Sequence, residues 1–425
     1  MREFLFAGWE GGGNVAPMAG AVRRLVARGH RARVLGDWSM REDVEAAGGL
    51  FRPWETAPNR PDRRPETDLL QDWIPKEPGA GLTRVLDRIM VGPAALYAAD
   101  TLAELRRAPT DAVVSNDLLF GPMMAAEASR TPLAVLAPNL SVLPIPGLPP
   151  MGPGLAPPTT PEEHAMAEAA AAWLGGQLAA RLPTLNAARA ALGLAPLADA
   201  FDQLRAARKV LLATSRAFDF PVEALPAGMC HVGPLLEEPA WAEGWTIPWR
   251  DARPLLLVAM STTFQDQAGV IQSVLDAAAC LPVQVVATLG PALAGAALRV
   301  PANAVVQERA SHDALMAEAA LVVTHCGHGT VMRALAHGRP MLCLPMGRDQ
   351  NDNAARVVAR GAGLRLPPDA PVAELRAAIE TLLADPRFAA AAAALGAAIA
   401  AAEPPDALVT ALEAMVAQAP CRQAA

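Results

Sequence analysis

Short apolar runs alternate with stretches of helical spacing from the first residues onward. "REFLFAG" (2–8) is an apolar run that stops at glycine. "APMAGAVRRLVARGH" (16–30) repeats apolar residues at helical intervals, with Pro17 near its first turn and Gly29 near its end, and predicts a helix. "RARVLGD" (31–37), "DAVVSND" (111–117) and "PLAVLAP" (132–138) read as later strands. A second series follows: "PLLLVAMSTT" (254–263), "VQVVATLG" (283–290), "NAVVQE" (303–308), "ALVVTH" (320–325) and "PMLCLPM" (340–346) are short apolar strands, with helical segments between most of them. This strand–helix rhythm implies parallel sheets, doubly wound, in an α/β chain.

Interruptions of the pattern divide the chain. The stretch 141–160 is rich in proline and glycine and predicts a long loop beside a site. Between 223 and 252 proline, acidic residues and Trp241, Trp245 and Trp249 cluster without period, which places an interdomain linker there. The expected organisation is a Rossmann-like domain over 1–222, the linker, a second Rossmann-like domain over 253–402, and a helix in 403–425 returning toward the first domain.

Composition narrows the function. The 425 residues are 52% hydrophobic with a net charge of −7, which fits a globular protein and argues against nucleic acid or anionic membranes as partners. Lysine occurs only as Lys76 and Lys209. Five cysteines, at 230, 280, 326, 343 and 421, form no CxxC pair, so free thiols in a reducing cytoplasm are expected rather than zinc or disulfides. The alanine-rich stretch 388–402 is expected to be a helix of a soluble fold rather than a membrane span, and the opening residues a strand rather than a signal peptide.

The densest chemistry lies in 321–353, "LVVTHCGHGTVMRALAHGRPMLCLPMGRDQNDN". A strand runs into His325, Cys326, Gly327, His328, Gly329 and Thr330, where a helix starts. Small residues at a helix N-terminus let backbone N–H groups approach an anion such as a phosphate. His325 and Thr330 add side-chain donors, and Asp349 and Gln350 suit sugar hydroxyls. The opening loop "GGGNVA" (11–16), with Asp37 at the end of the next strand, also fits a dinucleotide fingerprint, and a flavin- or nicotinamide-dependent oxidoreductase is the alternative it raises.

The run "HCGHGT…ALAHGRPMLCLP…RDQ" resembles the nucleotide-sugar signature of family 1 glycosyltransferases, among them bacterial antibiotic-tailoring enzymes. "HVGPLL", "STTF" (261–264) and "QERASHDALM" are similar to their linker entry, phosphate-side hydroxyl turn and base-binding segment. The resemblance implies a GT-B fold, two Rossmann-like domains facing across a cleft. It implies inverting transfer from a UDP- or dTDP-sugar to a hydrophobic small-molecule acceptor, without a metal or other cofactor, by a monomer or homodimer. It places Ser261, Thr262, Arg309, His312, His325, Gly327, His328, Gly329, Thr330, Asp349 and Gln350 at the donor, and Trp9 and Asn14 at the acceptor.

One residue departs from the family. Relatives commonly carry a basic histidine three residues before the loop proline, where this chain has Asn14 before Pro17. Asparagine takes no proton near neutral pH. Asp117 and Glu10 are the candidate bases, each able to act if burial raises its pKa, with Asn14 orienting the acceptor. An easily ionised acceptor, or a silent relative that binds nucleotide sugar without turnover, are the other readings.

Overall fold

A computed structural model describes residues 1–74, 77, 79–238, 247 and 252–418. Trp241, Trp245 and Trp249 lie outside the described residues.

The apolar runs assemble into two parallel sheets. The first contains β1 (Glu3–Ala7), β2 (Arg31–Gly36), β3 (Leu50–Pro53), β4 (Ala112–Asn116), β5 (Leu133–Ala137), β6 (Lys209–Leu212) and β7 (Met229–His231), in the order β3-β2-β1-β4-β5-β6-β7. The second contains β8 (Leu255–Ala259), β9 (Gln284–Thr288), β10 (Ala304–Gln307), β11 (Leu321–Thr324), β12 (Met341–Cys343) and β13 (Gly363–Arg365), in the order β10-β9-β8-β11-β12-β13. Each order reverses once beside its first strand, at β1/β4 and at β8/β11. Open parallel sheets bind ligands at such switch points, beyond the carboxyl ends of the strands.

Helices cover both faces of each sheet. Phe4, Phe6, Val34 and Val114 face one layer of the first domain, and Leu5, Leu35, Val113 and Val135 the other. β7 belongs to the first sheet, so the first domain runs to His231 and the boundary read at 222 is corrected: backbone pairing with β6 holds 229–231 where the residue pattern is too short to show a strand.

By length and composition alone, the C-terminal stretch Pro386–Ala417 is apolar and long enough to cross a membrane. It consists of two helices, Pro386–Ala402 and Ala407–Ala417, broken at 403–406. The first packs on the second domain through Ala392, Leu395 and Ile399. The second buries Leu408, Val409, Leu412, Met415 and Val416 in the core of the first domain. The chain thus crosses between domains a second time, and Glu403 receives the backbone N–H of Arg216 at that crossing.

Candidate active site

The loop after β1 and the loop after β8 meet. Gly12 has φ +71°, and a Cβ there would lie 2.6 Å from Cγ2 of Thr263 and 3.2 Å from Oγ1 of Thr262. Gly12 therefore serves a close approach between the domains, whereas a Cβ at Gly11 would meet Trp9 and Asn14 of its own loop and Gly13 has open space around it. Asp37, which a dinucleotide site would need exposed to ribose, is fully buried and accepts the Glu10 N–H at 2.7 Å. This arrangement does not fit the oxidoreductase alternative.

On the donor side, Ser261 Oγ and Thr263 Oγ1 lie 3.0 Å apart, and Gln267 ties the turn together through the carbonyls of both residues. Opposite, β11 ends at Thr324, Cys326 adopts φ +66°, and the helix His328–Ala336 begins. Thr324 Oγ1 accepts the Cys326 N–H at 3.1 Å, which fixes that turn. At Gly327 a Cβ would sit 2.5 Å from His325 Nε2, so any larger residue would displace that ring. Gly329 has open space around it, and Thr330 is half-buried. The first N–H groups of such a helix have no intrahelical acceptor and carry partial positive charge.

Burial lowers the pKa of His325 to about 3, with the Arg348 guanidinium acting in the same direction and a backbone hydrogen bond to Ala259 opposing both. His325 is thus a neutral hydrogen-bonding group. His312 is lowered to about 4, chiefly by burial, and its Nε2 lies 2.9 Å from Thr288 Oγ1. Arg309 is exposed two residues before the N-cap Ser311.

Several expected ligands are committed elsewhere, and their roles are corrected. Gln350 is buried; its Oε1 accepts the Met346 N–H at 2.7 Å and its Nε2 donates to Gln265 at 2.8 Å, so it holds the loop rather than a sugar. The buried ring of His328 uses Nδ1 on Asn353 Oδ1 at 3.0 Å and meets Phe218 edge-on, while its Nε2 has no hydrogen-bond partner among the described residues. Asp349 keeps one oxygen on Asn353 Nδ2 at 2.8 Å, and its other oxygen has no hydrogen bond among the described residues.

On the acceptor side, Trp9 is buried and donates to Asn116 Oδ1 at 3.2 Å, so it supports the floor of the site and offers no open face. Glu10 is also corrected. The residue is 3% exposed and its carboxylate is held on both oxygens, accepting from Arg63 Nε at 2.7 Å and from the Gly12 N–H at 3.0 Å, which turns it to the support of its own loop rather than toward an acceptor. Asn14 caps no N–H with its side chain. With Phe6, Gly8, Asn116 and Leu136 it lines a small cavity, room for about one water, at the carboxyl ends of β1, β4 and β5.

Asp117 follows β4 at that same end. It is 2% exposed, and its Oδ1 has no hydrogen-bond partner. Burial raises its pKa to about 7, and the negative charge of Asp349 from the other domain adds to the rise. A larger cleft, about 140 Å³, lies under the 140–151 loop, lined by Leu143, Ile145, Leu148, Met151, Leu174 and Phe201, with Asp219, Asp352 and Arg356 at its polar edge. Among the described residues no group of three or more His, Cys, Asp or Glu side chains is arranged to hold a metal ion.

Residues beyond the sequence reading join the site. Arg348, φ +56°, donates to Thr263 Oγ1 at 2.8 Å and grips Asp72 of the first domain at 2.7 and 3.0 Å. Left-handed backbone costs a non-glycine residue about 1–2 kcal/mol. The charge of Arg348 in a loop was visible in the sequence; its partner, 276 residues away, was not.

Comparison with known proteins agrees with the two-domain fold. Residues 272–415 match the erythromycin biosynthesis protein CIII-like, C-terminal domain family. The chain is 29% identical over 405 residues to 4'-demethylrebeccamycin synthase of Lentzea aerocolonigenes, covering 90% of this chain and 92% of that protein. It superposes on the calicheamicin glycosyltransferase CalG4 with a TM-score of 0.75 at 22% identity, covering 98% and 99% of the two chains. The spinosyn rhamnosyltransferase SpnG complexed with thymidine diphosphate gives 0.68 at 18% identity, and SpnG complexed with spinosyn aglycone 0.69 at 19%, each covering 97% of this chain and 100% of the other.

Proposed function

The chain belongs to the glycosyltransferases of antibiotic-tailoring type, with a GT-B fold and an EryCIII-like C-terminal domain, and from this premise we propose that it performs inverting, metal-independent transfer from a UDP- or dTDP-sugar to a hydrophobic small-molecule acceptor, with Asp117 as the base. The observation that carries this reading is the Asp117 carboxylate: buried, with one oxygen unpartnered, at a strand end facing the donor domain. A base with a pKa near 7 is half deprotonated at neutral pH and strong enough to assist a hydroxyl.

Asp117 takes the acceptor proton as the acceptor oxygen bonds to the anomeric carbon. The carbon–oxygen bond to the diphosphate breaks and the nucleoside diphosphate leaves. Ser261, Thr262, Thr330, His325 and the N-terminus of the 328–336 helix receive the charge on the diphosphate, and Asp349 receives a sugar hydroxyl. Asn14 hydrogen-bonds the acceptor. The apolar cleft under 140–151 suits a flat or greasy aglycone. Thymidine diphosphate bound to SpnG and the spinosyn aglycone on the same enzyme support both halves of this assignment.

The test is calorimetric titration of the full chain with UDP and dTDP, followed by transfer assays on aromatic and macrolide aglycones. One diphosphate is expected to bind, more weakly to H325A. The D117N variant is expected to bind that diphosphate normally yet lose about 10²- to 10⁴-fold in kcat. The product linkage from an α-linked donor should be β by NMR. D117N with wild-type kcat removes Asp117 from the mechanism, and a product of retained configuration removes inversion.

A further inference from the structure

The donor site must accommodate a diphosphate whose negative charge grows as the bond to the sugar breaks. His325 and His312 are neutral there, and lysine occurs in the chain only at 76 and 209, the latter in β6 of the other domain. Arg348 is different. It reaches into the hydroxyl turn itself, with Nη1 on Thr263 Oγ1 at 2.8 Å, and its charge is felt by the His325 ring. It is followed at once by Asp349, so one short loop carries both a cation and a sugar-hydroxyl acceptor.

Its other two nitrogens are engaged. Nε and Nη2 form a bidentate pair with Asp72 of the first domain, at 2.7 and 3.0 Å. The neighbouring Trp73 packs edge-on against Phe264, which follows the hydroxyl turn, at 4.9 Å between ring centres. The 72–73 segment therefore seats itself on the donor turn at two points. A guanidinium held by a carboxylate has the fork geometry that also suits two phosphate oxygens.

Resting on the donor-site reading above, we propose that Arg348 is the cationic ligand of the nucleotide diphosphate and that Asp72 competes with the diphosphate for it. With donor bound, Arg348 turns its Nε–Nη2 edge from Asp72 to the phosphates while Nη1 stays near Thr263. As product diphosphate leaves, Asp72 recovers the guanidinium. Asp72 thus reports the donor site's occupancy to the first domain and favours release.

Calorimetry on the full chain with UDP, dTDP and the matching nucleosides tests this. R348A should weaken diphosphate binding by about 10- to 100-fold, the range for a hydrogen bond to a charged group, and leave nucleoside affinity unchanged. R348K should recover part of the loss. D72N should tighten diphosphate binding severalfold and slow product release, seen as a burst in stopped-flow transfer. Circular dichroism melts confirm that each variant is folded. A folded R348A that binds the diphosphate as tightly as wild type overturns the ligand role. Unchanged binding in D72N overturns the competition. Failure of the wild-type chain to bind either diphosphate instead sinks the donor-site reading on which both rest.

Discussion

Burial sets the protonation of Asp117, and two measurable consequences follow. Its pKa is raised to about 7, so the basic form accumulates as pH rises through neutrality. The kcat/KM for acceptor should climb about tenfold per pH unit below 7 and level off above it, and D117N should flatten that limb. Stability moves the other way. A carboxylate whose folded pKa exceeds its unfolded one favours folding only while protonated; its cost is absent near pH 4 and full above pH 7. D117N should therefore melt higher than wild type at pH 8 and level with it at pH 4, read by calorimetry. A melting difference that does not change with pH would show that Asp117 is not ionising in the folded protein. At this scale the sequence reading located the loops that meet at the cleft, but not which of their side chains are already engaged within the protein. Asp349 and His325 stand where the motif puts them. Glu10, Gln350 and Trp9 sit in the same loops but spend their polar atoms on Arg63, Gln265 and Asn116, and His328 spends one ring nitrogen on Asn353. A motif specifies loop position; which side chain remains unpaired depends on partners contributed from elsewhere in the fold.

Among the elements, the helix His328–Ala336 presents its N-terminus to the donor site, and the helix Pro386–Ala402 holds it in place. Their closest approach is Gly396, where a Cβ would stand 1.9 Å from the carbonyl oxygen of Leu335. No side chain fits without pushing the helices apart. G396A should cost about 1–3 kcal/mol, as overpacking does, and lower the thermal midpoint of the second domain. Because the displaced helix carries Gly329 and Thr330, diphosphate binding should weaken with it, measured by calorimetry below the melting range. Wild-type stability in G396A would mean that the two helices separate freely. No sequence pattern marks this contact, since a glycine in an alanine-rich helix looks like a neutral small residue. The strands were far more legible. Nine of them coincide with apolar runs, because strands buried on both faces need no alternation. The four without such a signal are β3, β6, β7 and β13, each three or four residues long. Three of these are sheet edges, where one neighbour and partial exposure leave too few apolar positions to stand out.

For the whole molecule, the two-domain architecture followed from counting strand–helix repeats, but the way the domains engage did not. Every contact across the cleft joins residues far apart in sequence, and none carries a local pattern. The pairing of Asp352 with the proline-rich loop is the most consequential for substrate. Its Oδ2 accepts the Gly152 N–H at 2.7 Å and its Oδ1 the Gly154 N–H at 3.0 Å. Gly154, at φ +70°, has no room for a side chain, because a Cβ would lie 2.5 Å from the Asn351 carbonyl oxygen. The loop that walls the apolar cleft on the first domain is thus pinned to a helix of the second, beginning one residue after Asp349. A wall fixed to the donor domain moves with it, so acceptor binding depends on the closed arrangement while nucleotide binding does not. D352A should leave diphosphate affinity within twofold of wild type and raise the acceptor KM by about tenfold, the scale of one lost charge-assisted hydrogen bond. Steady-state kinetics at saturating donor, paired with nucleotide calorimetry, separates the two quantities. Equal losses in both would mean that Asp352 merely stabilises the second domain, and an unchanged KM would mean that the loop keeps its shape without the pin.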